Sequence, residues 1–96
     1  MFAIAFDLTL ATADALHPLG QRSAYADIGR VLKRHGFQRV QGSVYLNRDD
    51  DLAAVTWAMS DLRALPWFPE SVRDIRAFKV EDWSDFTGFI KQRERG

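Results

Sequence analysis

Asp7 is the residue with the clearest potential for chemistry, because it lies in an apolar opening segment where bulky and small residues alternate. In an extended strand, successive side chains point to opposite faces, so the segment predicts one bulky core-facing side and one flat side that carries Asp7. A carboxylate in such a setting is ion-paired, bound to a metal or used in catalysis. The plainer alternative is an acid at the fraying end of the strand, or one that caps a turn. The bulky side consists of Phe2, Ile4, Phe6 and Leu8, and the flat side of Ala3, Ala5, Asp7 and Thr9.

Ser43 and Tyr45 are candidates to act beside Asp7. They alternate with Val44 and Leu46, which we expect to face the core. Ser43 and Tyr45 would then share the open side of the sheet with Asp7. There, Asp7 could hold Mg²⁺ or Mn²⁺ and activate water, or deprotonate a ribose 2′-hydroxyl, and so serve phosphodiester cleavage. Ser43 would donate a hydrogen bond to phosphate and Tyr45 would stack on a base, although both are also ordinary strand residues.

The last predicted strand carries mixed charges on both of its faces. Arg73 and Lys79 share one parity, and Asp74 and Arg76 share the other. Because neither face is cleanly apolar, we expect an edge strand, a bulge or an interface. Arg76 is a candidate for contact with the substrate through phosphate, and salt bridging within the strand is the alternative.

Two further groups are better explained by structure than by chemistry. His17 and His35 could form an acid–base pair, but they share no spacing, and a loop residue and a helix-terminal charge are the better explanation. The apolar segment 65–69, which contains Trp67, is typical of a loop that closes the end of a core, and a partner-binding patch is the alternative. The sequence has no phosphate-binding glycine loop and no zinc-ligand spacing.

The spacing of apolar residues predicts the elements that position these groups. A helix begins near Ser23 and stops at Gly36, and a second helix opens at residues 49–51 and buries a stripe that includes Leu52 and Leu62. Residues 10–21 are predicted as a loop, and Asp82 as the N-cap of a terminal helix. The predicted strands are residues 2–9, 37–41, 43–47 and 72–80.

This order of elements predicts an α+β fold, namely a ferredoxin-like βαββαβ sandwich with a short C-terminal helical tail. Residues 1–96 suit one domain. Two helices would cover one face of the antiparallel sheet, and the other face, flattened by Ala3 and Ala5, would stay open. Dimerisation through that face or along an edge strand would cover it, and would bring two copies of Asp7 to one groove.

Composition narrows the classes of protein. Thirteen basic and thirteen acidic residues give a net charge of zero, which argues against a general nucleic-acid coat protein. The chain has no cysteine, which fits a reducing cytoplasm and excludes thiolate metal sites. We expect neither a secretory signal, because no basic residue precedes Arg22, nor a membrane span.

Three segments resemble the virulence-associated protein D (VapD) family, which is related to the CRISPR-associated adaptation endoribonucleases. They are the opening Ala3-Ile4-Ala5-Phe6-Asp7-Leu8, residues 36–45 with Gln41-Gly42-Ser43, and above all residues 71–87 with the sequence SVRDIRAFKVEDWSDFT. The last segment is long and specific, and the resemblance spans nearly the whole chain.

The resemblance implies a toxin-like endoribonuclease with a purine preference, a ferredoxin-like fold, a homodimer and a small antitoxin partner. The strand-end acid of the family falls on Asp7, and a serine near that acid falls on Ser43. The alternative function is a non-catalytic dimer that binds nucleic acid or an antitoxin peptide. A peptide could add to a sheet edge, whereas an RNA-binding sheet usually shows more aromatic residues than Tyr45 alone.

Overall fold

The computed structural model describes residues 1–92, in which helices cover one face of a four-stranded antiparallel sheet. The strands are β1 (Phe2–Leu8), β2 (Gln38–Gln41), β3 (Val44–Asn47) and β4 (Val72–Lys79), in the sheet order β2-β3-β1-β4. The helices are α1 (Leu10–Leu16), α2 (Gln21–Arg34), α3 (Leu52–Arg63), α4 (Phe68–Ser71) and α5 (Thr87–Lys91). This is the predicted α+β, ferredoxin-like arrangement. The last four residues of the predicted 1–96 domain lie outside the described residues.

The bulky side of β1 packs against α2 and α3, as its alternation predicts. Ile4 of β1, Ile28 of α2 and Leu62 of α3 are completely buried in one apolar cluster. Asp51 begins α3 as its N-cap, where its side chain accepts hydrogen bonds from the N–H groups of Ala53 and Ala54 at 3.0 and 3.3 Å. This apolar cluster packs both long helices against β1. Asp7 and Leu8 are the last two residues of that strand.

Two short helices differ from the predictions. Residues 10–16 form α1 and not a loop; Ala13 is its one buried residue, so the sequence shows no apolar stripe. The terminal helix begins at Thr87 and not after Asp82. Asp85 accepts a hydrogen bond from the Thr87 N–H at 2.8 Å and takes the capping role instead. Leu52, which the spacing assigns to the buried stripe of α3, is 63% exposed.

Gly36 ends α2, as predicted. Its φ of 84° lies in the left-handed region, and the Phe37 N–H then reaches back to the Leu32 carbonyl at 3.0 Å. A Cβ at this position would lie 3.2 Å from the Asn47 side-chain nitrogen.

We expect Gly36→Ala to lower the free energy of unfolding by about 1–2 kcal/mol, because alanine is strained at positive φ and its methyl group presses on Asn47. Urea denaturation measures the change. Gly42→Ala is the matched control, since Gly42 also has positive φ (41°) but nothing lies within 4 Å of the place that a Cβ would take there. An equal or larger loss in Gly42→Ala would show that the Asn47 contact has no cost.

The faces of β3 are the reverse of those predicted. Tyr45 pairs with Ile4 and Leu46 pairs with Ala3, so Tyr45 lies on the helix-covered face and Leu46 on the other. The aromatic ring of Tyr45 stacks on Phe6 with centroids 6.1 Å apart, and Tyr45 is 7% exposed. A shift of one residue in register exchanges the two faces of a strand, and here the turn before β3 sets that register.

The segment after β4 returns toward the opposite edge of the sheet. Residues 83–87, Ile90 and Lys91 line a shallow cleft together with Val40 and Gln41 of β2. Ala3 and Leu46, on the face away from the helices, are only 2% and 3% exposed. The face predicted to be open is therefore exposed at Asp7 but buried at Ala3 and Leu46.

Candidate active site around Asp7

Asp7 projects from the sheet face away from the helices, as predicted. Its side chain is 65% exposed. Across the β1–β4 pair it lies opposite Asp74, whose side chain is 50% exposed. Two carboxylates therefore face solvent side by side. Sequence reasoning treats Asp74 only as a salt-bridge residue, because the pairing of distant strands is not visible in the sequence.

A β-bulge in β4 brings Arg73 to the same place. Asp7 pairs with Asp74 but Leu8 pairs with Val72, so Arg73 is the extra residue. Its guanidinium Nη1 lies 3.9 Å from Asp7 Oδ2, with both side chains 65% exposed. Of the three expectations for this strand, namely an edge strand, a bulge or an interface, the structure shows the first two. An exposed contact of this length is weak, so the Asp7 carboxylate remains free to bind other groups.

Arg76 lies on the Asp7 face, opposite Ala5. Its Nε donates to both carboxylate oxygens of Asp74, at 3.1 and 3.2 Å. The salt-bridge alternative is therefore correct for Arg76. Since the side chain is 76% exposed, its remaining N–H groups face solvent and can reach an anion near Asp7.

Ser43 does not share the face of Asp7. It lies in the turn between β2 and β3, where its carbonyl accepts a hydrogen bond from the Phe6 N–H at 3.1 Å. Opposite Phe6, it lines a cleft on the helix side of the sheet together with Tyr45. The predicted grouping of Ser43 and Tyr45 with Asp7 on one face is wrong, because the register of β3 places Tyr45 opposite Ile4 and Ser43 opposite Phe6, on the helix-covered side.

The environment of Tyr45 is part apolar and part cationic. Burial raises the pKa of its hydroxyl above the usual range, and the nearby positive charge of Arg39 partly opposes that rise. Tyr45 therefore stays protonated at neutral pH and can donate a hydrogen bond.

The other candidates have structural roles. His17 and His35 each contact a separate aspartate, Asp27 and Asp61, at 2.6 Å, and they do not form a pair. His17 also accepts a hydrogen bond from the Leu19 N–H at 3.0 Å. Trp67 is 7% exposed and closes the end of the core, as predicted.

The two carboxylates fit one kind of divalent cation. Mg²⁺ commonly keeps several waters and binds proteins through one or two carboxylates plus substrate phosphate. Asp7 and Asp74 supply such a pair. Among residues 1–92, no group of three or more histidine, cysteine, aspartate or glutamate side chains could hold a cation without further ligands. Asp7 and Asp74 are thus the residues that would hold such a cation, and Arg73 and Arg76 would have to give up their exposed contacts to them.

Comparison with known proteins gives one consistent picture. The family model described as CRISPR associated protein Cas2 matches residues 1–87. An endoribonuclease VapD homolog of Neisseria gonorrhoeae is 54% identical over 91 residues, which cover 95% of this chain and 99% of the relative. The endoribonuclease VapD of Haemophilus influenzae is 53% identical and that of Helicobacter pylori 45% identical, each over 95% of this chain and 99% of its own length. The chain therefore belongs to the Cas2 protein family and, within that similarity, to the VapD endoribonucleases.

Proposed function

We propose that the chain is an endoribonuclease in which Asp7 is the catalytic carboxylate. The single observation that carries this assignment is the exposure of Asp7, opposite Asp74, on the face that the helices leave free. Its relatives are named endoribonucleases, and a cleaving site must be reached by an RNA backbone. Among the residues that the structure describes, Asp7 has one long ion-pair contact, to Arg73, and is thus available to such a substrate.

The two arginines beside the acids supply the positive charge that an RNA phosphate needs. Arg73 lies 3.9 Å from Asp7, and Arg76 is held by Asp74. An arriving phosphate can exchange these exposed contacts for its own oxygens at little cost, because exposed ion pairs contribute only about 0–1 kcal/mol. We propose that Arg76 binds substrate in this way.

We propose that Mg²⁺ or Mn²⁺ supports the reaction, held by Asp7 and Asp74. When bound, such a cation activates water and neutralises charge on the phosphate. The alternative route needs no metal: Asp7 takes the proton of the 2′-hydroxyl, the O2′–phosphorus bond forms, the phosphorus–O5′ bond breaks, and the leaving O5′ takes a proton from water. Both routes need the carboxylate of Asp7.

Removal of divalent cations separates the two routes. We expect EDTA to abolish RNA cleavage and added Mg²⁺ or Mn²⁺ to restore it, with products that end in 5′-phosphate and 3′-hydroxyl. Electron paramagnetic resonance of Mn²⁺ should show binding by wild-type protein and weaker binding by Asp74→Asn. Cleavage that persists in EDTA, with 2′,3′-cyclic phosphate ends, would remove the cation and assign the 2′-hydroxyl route.

We propose that the active form is a homodimer. Four large apolar side chains of the tail and one on β4 are exposed by 40–74%. Within the tail, Phe86 and Phe89 pack edge to face with centroids 6.4 Å apart, so they already form a cluster that a partner surface can cover. A second copy of the chain presents the same cluster, so the two clusters can pack against each other about a two-fold axis. The five are Phe78, Trp83, Phe86, Phe89 and Ile90.

The remaining expectations extend this proposal. Purine preference stays a prediction that cleavage of defined RNA sequences would test. A small antitoxin protein remains a proposed partner, and it would compete with a second copy for the exposed tail. No helix among residues 1–92 is long and apolar enough to cross a bilayer. We propose a cytoplasmic location, where RNA is available.

The alternative, a dimer that binds RNA or an antitoxin without cleaving, makes a distinct prediction. The pure protein would bind RNA without cleaving it, at every pH tested and with every divalent cation added. The names of the relatives favour the nuclease, and the exposed carboxylate of Asp7 gives it a group that can take part in the chemistry.

A further inference from the structure

A second cleft lies on the opposite side of the sheet from Asp7. It has a volume of about 620 Å³ and opens between α2 and the β2–β3 turn. Its walls combine aromatic rings, hydroxyl groups and cations, and no acidic side chain lines it within the described part of the chain. The lining residues are Phe6, Tyr25, Ala26, Gly29, Arg30, Lys33, Arg39, Gly42, Ser43 and Tyr45.

The cations of this cleft come from two directions. Arg30 and Lys33 lie one turn apart on α2, and Arg39 comes from β2. Arg39 is held in place because its Nε donates to the Gly42 carbonyl at 2.7 Å. Arg30 is paired with Asp27, whereas Lys33 and Arg39 form no salt bridge within the described residues. Two positive charges are therefore left to attract an anion, although the net charge of the whole chain is zero.

The aromatic side of the cleft is rigid. Phe6 lies between Tyr25 and Tyr45, with centroid distances of 6.2 and 6.1 Å. Gly29 leaves room for the Tyr45 hydroxyl, since a Cβ at position 29 would lie 2.9 Å from that oxygen. The hydroxyl has no hydrogen-bond partner among residues 1–92, so it can donate to a ligand.

Aromatic rings beside unpaired cations are the features that bind single-stranded nucleic acid. Bases stack on the rings, and lysine or arginine contacts the phosphates. A volume of about 620 Å³ lies within the range of small-ligand pockets, which is about 300–1,000 Å³, and it suffices for one nucleotide.

The sheet is interrupted between this cleft and Asp7. The β1–β3 pairing ends at Ala5 and Val44, and the Ser43 carbonyl then receives the Phe6 N–H. Beyond that bond, β3 provides no partner for Asp7, because the chain has already turned. A flexible strand of RNA can therefore bend around the end of the sheet from the Asp7 face to the cleft.

We propose that this cleft binds a nucleotide of the RNA substrate adjacent to the one cleaved at Asp7. Lys33 and Arg39 contact its phosphate, the Tyr25 ring contacts its base, and the hydroxyl of Tyr45 donates a hydrogen bond. The proposal rests on the proposed endoribonuclease function, since it places the cleft on the path of the same substrate.

The test compares binding and turnover in matched variants. Binding of a fluorescent single-stranded RNA is measured by anisotropy in an Asp7→Asn background, and KM and kcat are measured with Asp7 present. We expect the double variant Lys33→Ala with Arg39→Ala to raise Kd and KM about tenfold or more and to change kcat little. The slope of log Kd against log salt concentration should fall by an amount that corresponds to about one or two lost phosphate contacts. Arg63→Ala, an exposed cation of α3 away from the cleft, should change none of these.

Lys33→Glu provides a second variant that leaves the Arg39–Gly42 hydrogen bond intact, and Tyr45→Phe should raise KM without unfolding the protein. Binding of adenosine 5′-monophosphate but not ribose 5-phosphate, lost in Lys33→Glu, would show that the cleft contacts a base. If wild-type protein cleaves RNA and these variants keep wild-type Kd and KM, the cleft proposal is wrong. If wild-type protein cleaves no RNA but the variants still lose RNA binding, the cleft stands and the nuclease assignment fails.

Discussion

Asp7→Asn should reduce RNA cleavage by about 10²–10⁴-fold, which is the contribution typical of a group that transfers a proton in the reaction. Asparagine keeps the size of the side chain but can neither accept the proton of a nucleophile nor carry charge to a cation. Initial rates on a labelled RNA of defined sequence, with end-group analysis of the products, measure the effect. Both the metal route and the 2′-hydroxyl route predict this loss.

The same substitution should leave the fold intact. Asp7 is 65% exposed, and its one salt-bridge contact within residues 1–92, to Arg73, is 3.9 Å long, so the free energy of unfolding should change by no more than about 0.5 kcal/mol. Asp49→Asn is the matched control, because Asp49 is also exposed and lies outside the site. Full activity in Asp7→Asn would remove Asp7 from catalysis. Loss of activity in Asp49→Asn as well would show that the assay responds to charge alone.

The sequence could predict the position of Asp7 because β1 satisfies one local rule. Bulky and small residues alternate along the strand, and the bulky set has to meet the helices, so the side that carries Asp7 follows directly. Ile4 and Phe6 are 0% and 6% exposed, so burial of the bulky side chains decides which face of β1 meets the helices. Family resemblance added the type of reaction, which alternation alone cannot supply.

Tyr45 shows where the same rule fails. Tyr45 and Leu46 are both large and partly apolar, so alternation along β3 does not decide which of them meets the helices. The decision depends on distant partners: Gly29 on α2 makes room for the Tyr45 hydroxyl, and Phe6 on β1 stacks on its ring. These contacts exist only after the chain has folded.

Arg73 reaches the site through a feature that single-sequence patterns do not specify, whereas Asp74 reaches it through the regular pairing of β1 with β4. The bulge between the pairs Asp7–Asp74 and Leu8–Val72 rotates one residue of β4 out of alternation. Mixed charge on both faces of the strand indicates an irregularity, and the structure contains one. The sequence alone could not show that the irregularity falls beside Asp7.

The second large effect concerns the tail. Phe86→Asp with Phe89→Asp should convert a dimer into a monomer, because Phe86 and Phe89 are 64% and 74% exposed and the change places two charges in a buried interface. Light scattering coupled to size-exclusion chromatography measures the molar mass. The tail lies outside the apolar core cluster, so the monomer should keep its fold.

Leu19→Asp is the matched control for this experiment. Leu19 is 78% exposed but lies between α1 and α2, away from the tail, and its replacement should leave the dimer intact. A wild-type protein that is monomeric, or a doubly substituted tail that still dimerises, would contradict the dimer proposal. If two copies of Asp7 share one groove, the monomeric variant should also lose RNA cleavage although Asp7 itself is unchanged. Cleavage retained by that monomer would show that one copy of the carboxylate pair is sufficient.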